Sequence, residues 1–165
     1  ITNLADGTVS TDAATKGQMD TAISSMTPVG QSLGYASRTT NFTTTNTTAW
    51  STAAGNFISS LSVTVTGTGR PVDIEFTTPA VTHSAGFATV CHLIVKTGAG
   101  SPLANTADCT YMNYLSIMGG TMKRNLTLTN GTTYVFTIGV FGGGAGTATI
   151  FGATNAPMEL KVTER

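Results

Sequence analysis

The sequence has few charged residues and no long apolar run. Charged residues make up 10% of its 165 residues, and eight Lys or Arg balance eight Asp or Glu. A chain without net charge lacks the basic surface that nucleic acid or an anionic membrane attracts. Its longest apolar runs span a few residues, far short of the ~20 that a membrane-spanning helix needs. These absences predict one soluble domain that binds no nucleic acid and does not insert into a membrane.

Cysteine is also scarce. Cys91 and Cys109 are the only two cysteines, and neither belongs to a CxxC pair or has a histidine at zinc-site spacing. We therefore expect no metal site and no cofactor. Cys91 lies in an apolar run, 87–95, where a free thiol behaves as a small hydrophobic side chain. That surrounding favours reduced cysteines, although a disulfide between the two stays open.

The residues that are abundant favour strands. Threonine is frequent, and from about Tyr35 onward apolar and polar residues alternate, which is the pattern of a strand with one buried face. The apolar members of these stretches are Leu61, Val63, Val65, Val72, Ile74, Phe76, Leu126, Leu128, Tyr134, Phe136, Ile138, Val140, Leu160 and Val162. Turn signals separate them at 67–71, 98–102, 130–131 and 142–146. Eight or nine short strands predict an all-β, jelly-roll-like β-sandwich head.

A short α-helix is predicted before this head. Thr15 and Gln18 have the spacing of a capping box, and the apolar residues Met19, Ala22, Ile23 and Met26 follow at helical steps over about 13–26. The apolar stripe is narrow and the helix is short, so it needs partners in water. Pro28 and Gly30 separate it from the β region, which divides the chain into a neck, 1–30, and a head, 31–165. A terminal helix that docks on its own domain is the alternative.

One predicted strand has two apolar faces. Over 87–95 one face carries Phe87, Cys91, Leu93 and Val95, and the other carries Ala88, Val90, His92 and Ile94. In a two-layer sandwich one face of each strand meets solvent, so the second apolar face indicates contact with another subunit. We therefore expect a homo-oligomer with interface residues Met19, Ile23, Met26, Val90, His92 and Ile94.

No catalytic motif accompanies the candidate catalytic residues. His83 and His92 lack a neighbouring GxSxG or HExxH pattern. Asp73 and Glu75 share one strand face and are better interpreted as polar strand exterior than as a glycosidase pair. The glycine-rich stretch 142–146 is followed by neither a Lys-Ser/Thr pair nor a helix start, so it predicts a turn rather than a phosphate loop. The chain is thus not expected to be an enzyme.

A cluster of methionines and tyrosines follows the two-faced strand. Tyr111 and Tyr114 lie close in sequence to Met112, Met118 and Met122. Such side chains can form a binding patch, because aromatic rings stack on sugar faces and tyrosine adds a hydroxyl. They can equally fill the core or a subunit interface.

Two groups of residues resemble a known family. Ala5-Asp6-Gly7-Thr8, followed by Thr11-Asp12-Ala13-Ala14-Thr15-Lys16-Gly17-Gln18-Met19-Asp20, resembles a stretch that recurs in the shafts of tailed-phage fibres. Several later strands and turns, such as Leu126-Thr127-Leu128-Thr129-Asn130-Gly131-Thr132-Thr133-Tyr134, are similar to the β-sandwich heads of such fibres. The chain begins at Ile1 in mid-pattern, which suggests the C-terminal piece of a longer polypeptide.

The resemblance implies a virion-borne, extracellular homotrimer joined by a helical neck to upstream shaft and tail proteins. Its head would bind a host receptor, a polysaccharide or a protein, without cleaving it. We expect contacts from loops 78–86, 98–108 and 142–146, with His83, Asn105, Tyr111, Asn113 and Tyr114 as receptor-binding residues. The alternative is a purely structural virion part, such as a head spike, decoration protein or trimerisation tip. A glycan-degrading enzyme is a third hypothesis, and a bacterial adhesin stalk a fourth.

Overall fold

The computed structural model describes residues 15–25, 30–47, 57–98, 109–112 and 118–165. These residues form a helix, α1 (Lys16–Ser25), and ten strands. The strands are β1 (Ser32–Arg38), β2 (Phe42–Thr44), β3 (Phe57–Thr66), β4 (Pro71–His83), β5 (Thr89–Thr97), β6 (Cys109–Met112), β7 (Met118–Thr127), β8 (Thr133–Gly142), β9 (Ala148–Phe151) and β10 (Met158–Glu164). The predicted all-β class with a short N-terminal helix is confirmed.

Helix α1 begins with the predicted capping box. The backbone N–H of Gln18 donates to Thr15 Oγ1 at 3.2 Å, and the Thr15 N–H donates to Gln18 Oε1 at 2.9 Å. Lys16 and Asp20 form an ion pair one turn apart. Met19, the first residue of the predicted apolar stripe, is 49% exposed. No helix in the described part of the chain is long and apolar enough to span a membrane.

The first sheet holds six strands in four strand positions. On one edge of β4, Thr77 pairs with Glu159 of β10 and Ala80 pairs with Phe151 of β9, so β9 and β10 lie in line. Strands β1 and β2 also lie in line, since β1 pairs with β10 and β2 pairs with β9. Strand β7 pairs with the opposite edge of β4. The positions therefore follow the order β1/β2, β9/β10, β4, β7.

The second sheet has the order β3, β8, β5, β6, and all its pairs are antiparallel. With β1/β2 and β9/β10 each taken as one position, the chain crosses between the sheets at every connection except that from β5 to β6. Two four-position sheets joined in this way are the arrangement of a jelly roll. The predicted jelly-roll-like sandwich is therefore confirmed.

The core lies between the sheets and is built from the predicted alternation. Every second side chain of the central strands is buried and meets its counterparts from the other sheet. The first sheet contributes Val72, Ile74, Phe76, Ile150, Met158, Leu160 and Val162, and the second contributes Leu61, Val63, Val65, Cys91, Leu93, Val95, Tyr134, Phe136, Ile138 and Val140. Full burial of such a side chain contributes about 1.5–3 kcal/mol, so this layer supplies most of the driving force for folding.

Strand β5 differs from its prediction in two ways. It begins at Thr89 rather than at Phe87, so Phe87 belongs to the preceding turn. Its outward side chains Val90, His92 and Ile94 are only 2%, 1% and 0% exposed within a single chain. The argument that this second apolar face needs another subunit is therefore wrong, because one chain already buries it. The placement of these three residues in a subunit interface stays a prediction.

Candidate functional site

The sandwich has two ends, and the chain enters at one of them. The N–H of Gly30 donates to the carbonyl of Glu164 at 2.7 Å, and the Glu164 N–H donates to the carbonyl of Gln31 at 2.8 Å. We call this the neck end, and the opposite end the distal end. Strand register shows at which end the described turns between the sheets lie. The turns that follow β3 at Thr66 and β5 at Thr97 lie at the neck end, since both strands end opposite the first residues of β8.

A buried carboxylate fixes the neck end. Glu164 is 1% exposed, and its Oε1 accepts a hydrogen bond from Thr68 Oγ1 at 2.7 Å and lies 3.5 Å from Arg70 Nε. Its Oε2 has no hydrogen-bond partner among the described residues. The backbone and side chain of Glu164 thus hold the entering chain and the β3–β4 turn together.

The distal end joins two of the three loops predicted to contact a receptor. Of the predicted loop 78–86, residues 78–83 belong to β4, because the strand continues to His83, so the turn at this end runs from His83 to Ala88. The glycine-rich turn 142–146 follows β8. The Ser84 N–H donates to the Thr147 carbonyl at 2.9 Å, and the Gly143 N–H donates to the Ala88 carbonyl at 2.7 Å. The Thr147 N–H also donates to Ser84 Oγ at 2.9 Å. These bonds hold both turns in one surface.

His83 lies beneath this surface. Its Nδ1 accepts a hydrogen bond from the Ala85 N–H at 3.2 Å, which places the proton of the neutral ring on Nε2. That Nε2 is buried and has no hydrogen-bond partner among the described residues. A Cβ atom on Gly142 would lie 2.5 Å from Nε2, and one on Gly146 would lie 2.7 Å from Cε1. Glycine at these positions is what lets the turn close over the imidazole.

Phe87 is an exposed aromatic side chain at the distal end, and sequence reasoning missed it. Its ring meets the His83 ring edge to face at a centroid distance of 5.6 Å. It also lies against Gly144, where a Cβ atom would come within 2.6 Å of its Cδ2. The side chain is nevertheless 45% exposed. Because Phe87 lies in an apolar run, the sequence predicts a buried strand residue. Its actual position depends on the contact with Gly144, which is distant in sequence and leaves no local pattern.

The other predicted receptor-binding residues are less well placed by the structure. Asn105, Asn113 and Tyr114 lie outside the described residues. Tyr111 pairs with Val90 through its backbone, next to the distal end of β5, but its side chain is not among those described. The third predicted loop, 98–108, departs from the neck end, where the Gly98 N–H donates to the Thr133 carbonyl at 2.9 Å. It therefore starts at the end opposite to His83.

The predicted interface residues of the neck are only partly described. Met19 is exposed on α1, and Ile23 lies on the same helix with a side chain that is not among those described. Met26 lies outside the described residues. The assignment of the three residues to a subunit interface stays a prediction.

Several ionisable groups of the described residues are engaged in structural contacts. Glu75 pairs with Lys123 at 2.7 Å, and Asp73 lies 3.4 Å from Arg165 Nε and accepts from Asn125 at 3.0 Å. Both carboxylates lie on the outer face of the sheet, which confirms that they are polar strand exterior. Within the described ranges, no three His, Cys, Asp or Glu side chains form a group that could hold a metal ion.

Two buried groups of β5 have shifted pKa values. Burial raises the pKa of the Cys91 thiol to about 12, and Cys91 is a free cysteine. Burial lowers the pKa of His92, whose ring stacks on Phe141 at a centroid distance of 5.0 Å. Both groups are therefore neutral at neutral pH, which suits a buried structural role.

One family model matches the N-terminal part of the chain. Residues 1–42 match the coiled stalk of trimeric autotransporter adhesins. The matched segment includes α1 and β1 and ends at Phe42, the first residue of β2. The stalk-like sequence therefore runs directly into the first strand position of the sandwich.

Other comparisons give weaker likenesses. No curated protein matches the chain. Among solved structures, the CBM22-1 xylan-binding domain of Paenibacillus barcinonensis Xyn10C is 12% identical with a TM-score of 0.42, covering 84% of this chain and 97% of that one. The N-terminal CBM22-1-CBM22-2 tandem domain of the same protein is 13% identical with a TM-score of 0.42, and the match covers 85% of this chain and 46% of the tandem. TM-scores at this level support no inference about a ligand.

Proposed function

We propose that this chain is the receptor-binding head of a trimeric fibre, most specifically of a tailed-phage tail fibre that attaches to the bacterial surface. The observation that carries the proposal is the stalk match over residues 1–42, which continues into the first strand of the sandwich. A domain fused to the end of a stalk presents its far side to whatever the fibre meets. The fibre-like sequence Ala5–Asp20 supports the phage assignment.

The head is held on the stalk by its neck end, so the distal end is the surface that faces away from it. The distal end carries the His83–Ala88 turn, the glycine-rich turn and the exposed Phe87. We propose that these turns contact the receptor, a polysaccharide or protein of the host envelope. Three copies of one weak site would bind a repetitive surface much more tightly than a single copy.

Attachment without cleavage is part of the proposal. Asp73 and Glu75 of the first sheet are paired with cations, His83 is covered by its turn, and His92 is buried and neutral. These arrangements support binding rather than acid–base chemistry. Incubation of the purified chain with the polysaccharide of a bacterium that it binds should release no reducing ends. Release of reducing ends would overturn the proposal that the chain does not cleave its receptor.

A bacterial trimeric adhesin is the second candidate, because the matching stalk model describes such proteins. The two candidates differ in what the head should bind. A phage head should bind bacterial envelopes, whereas an adhesin head that binds only animal cells or matrix would reject the phage assignment. A purely structural virion part should bind neither.

The proposal is tested by solution mass and by binding to bacteria. A trimer of the 16.9 kDa chain has a mass of about 51 kDa by light scattering. Fluorescently labelled trimer should bind intact cells of a susceptible bacterium, and a monomer that binds no envelope would overturn the proposal.

Met19→Asp should weaken the trimer, because it places charge on the apolar stripe. Thr21→Asp, about 200° further around the helix, is the matched control and should leave the mass unchanged.

A further inference from the structure

Charged residues are unevenly distributed along the head. No Asp, Glu, Lys or Arg occurs in the ranges 39–69, 76–95 and 125–158. These ranges supply the two turns that build the distal end, together with β2 and Asn46, whose carbonyl accepts a hydrogen bond from the Gly142 N–H at 2.8 Å. The described turns of the distal end therefore contain no charged residue.

The neck end has the opposite character. Its charged residues contact one another: Arg70 Nε lies 3.5 Å from Glu164 Oε1, and Arg165 Nε lies 3.4 Å from Asp73 Oδ2. The Glu75–Lys123 pair follows on the solvent face of the first sheet. The described charged residues of the head thus lie near the neck end and along the sheets, away from the described turns of the distal end.

A surface without charge discriminates between charged and uncharged ligands. A charged ligand that docks there would lose hydration without gaining an opposite charge, which is unfavourable. An uncharged partner rich in hydroxyl groups meets no such penalty, because hydroxyls exchange hydrogen bonds with water for bonds to serines and backbone groups. Ser84 and the glycine-rich turn offer such groups.

Phe87 supplies the apolar part of this surface. Its ring is held from two sides, edge to face on His83 and against the backbone of Gly144, and it is still 45% exposed. A fixed aromatic face of this kind fits the apolar face of a sugar ring. The Nε2–H of His83, directly under the same turn, is a buried donor without an acceptor among the described residues.

We propose that the distal end binds an uncharged polysaccharide, with one sugar ring stacked on Phe87 and its hydroxyl groups bonded to Ser84 and to the glycine-rich turn. This inference rests on the proposed receptor-binding function and names the chemical class of the receptor. It also predicts that binding depends little on salt, since no ion pair contributes to it.

The test uses the full trimeric chain and a glycan array that carries uncharged and anionic bacterial surface polysaccharides. We expect binding to uncharged polysaccharides, with an affinity that changes less than about twofold between 50 and 500 mM NaCl. Phe87→Ala should weaken binding about tenfold or more, and Phe87→Trp should retain it. Tyr35→Ala is the matched control, because Tyr35 is a second exposed aromatic residue, 55% exposed, on the outer face of the first sheet.

The outcomes separate this inference from the function on which it rests. Binding confined to anionic polysaccharides, or a Phe87→Ala protein that is folded and binds normally, would overturn the uncharged-ligand assignment. If whole bacteria are bound and no uncharged polysaccharide is, the receptor-binding function stands and this inference fails. If neither is bound, both fail.

Discussion

A Cβ atom on Gly34 would lie 2.3 Å from Val63 Cγ1, so β1 can pack on β3 only because residue 34 has no side chain. This contact closes the sandwich at its first strand, next to the point where the neck enters. It also lies inside the stalk-like segment 1–42, so the sequence that resembles a stalk contains a residue that the head requires.

Gly34→Ala should therefore destabilise the head. The added methyl group meets a buried valine in a packed layer, and such overpacking costs about 1–3 kcal/mol. Urea unfolding followed by circular dichroism should show a lower midpoint with an unchanged slope. Gly17→Ala is the control, since its nearest contact would be Thr15 Oγ1 at 3.9 Å and alanine favours a helix. Equal midpoints for Gly34→Ala and the unmodified chain would contradict the packing argument.

Ile94→Asp should unfold the chain rather than only separate subunits. Ile94 is fully buried within one chain, and an unpaired buried carboxylate is expected to cost at least about 3 kcal/mol. Thr64→Asp places the same charge at an exposed position of the same sheet and should change stability by less than about 0.5 kcal/mol. Circular dichroism shows whether the variant is folded, and light scattering shows whether it is associated. A folded, monomeric Ile94→Asp protein would instead support the subunit interface.

Cys91 should resist alkylation in the folded protein. Burial raises the pKa of its thiol to about 12, so the reactive thiolate is almost absent at pH 8.5. Iodoacetamide should modify Cys91 slowly in buffer and rapidly in urea, as followed by peptide mass mapping, which separates it from Cys109. Rapid labelling of Cys91 in buffer would show that β5 opens readily.

His92 should make the head less stable in mild acid. Because burial lowers its pKa in the folded state, the unfolded chain takes up the proton first, and stability falls as the pH drops below the unfolded value of about 6.5. The urea midpoint should decrease from pH 7.5 to pH 5. His92→Gln should show a flatter dependence over that range, and an identical slope in both proteins would exclude His92 as the cause.

The strands that were predicted well are those whose burial follows from local alternation. Leu61 to Val65 and Tyr134 to Val140 each turn one face to the core, and the sequence pattern reports that directly. The capping box of α1 was also predictable, because Thr15 and Gln18 lie three residues apart. In both cases the contacts that decide the structure are local.

The errors have a common physical origin in long-range contacts. An apolar pattern on both faces of β5 shows that both faces are buried, but not whether the same chain or a partner covers them. Phe87 belongs to an apolar run that is typical of a strand, and its exposed position depends on contacts with His83 and Gly144. Loop placement depends on such contacts too: two of the three loops predicted to contact a receptor lie side by side at the distal end, while register places the start of loop 98–108 at the other end. Receptor contact by these loops stays a prediction.

The arrangement of β1 beside β10 determines how the head bears mechanical load. If the head is attached through its distal end and pulled from its stalk, as proposed above, the pull draws β1 along its own axis, past β10. In an antiparallel pair the hydrogen bonds lie perpendicular to the strands, so such a pull shears all the β1–β10 bonds at once instead of opening them one by one. The hydrogen bonds between Gly30 and Glu164 and between Gln31 and Glu164 lie at the loaded end of that pair. A head built in this way stays folded under a force that would unzip a strand pulled from its side.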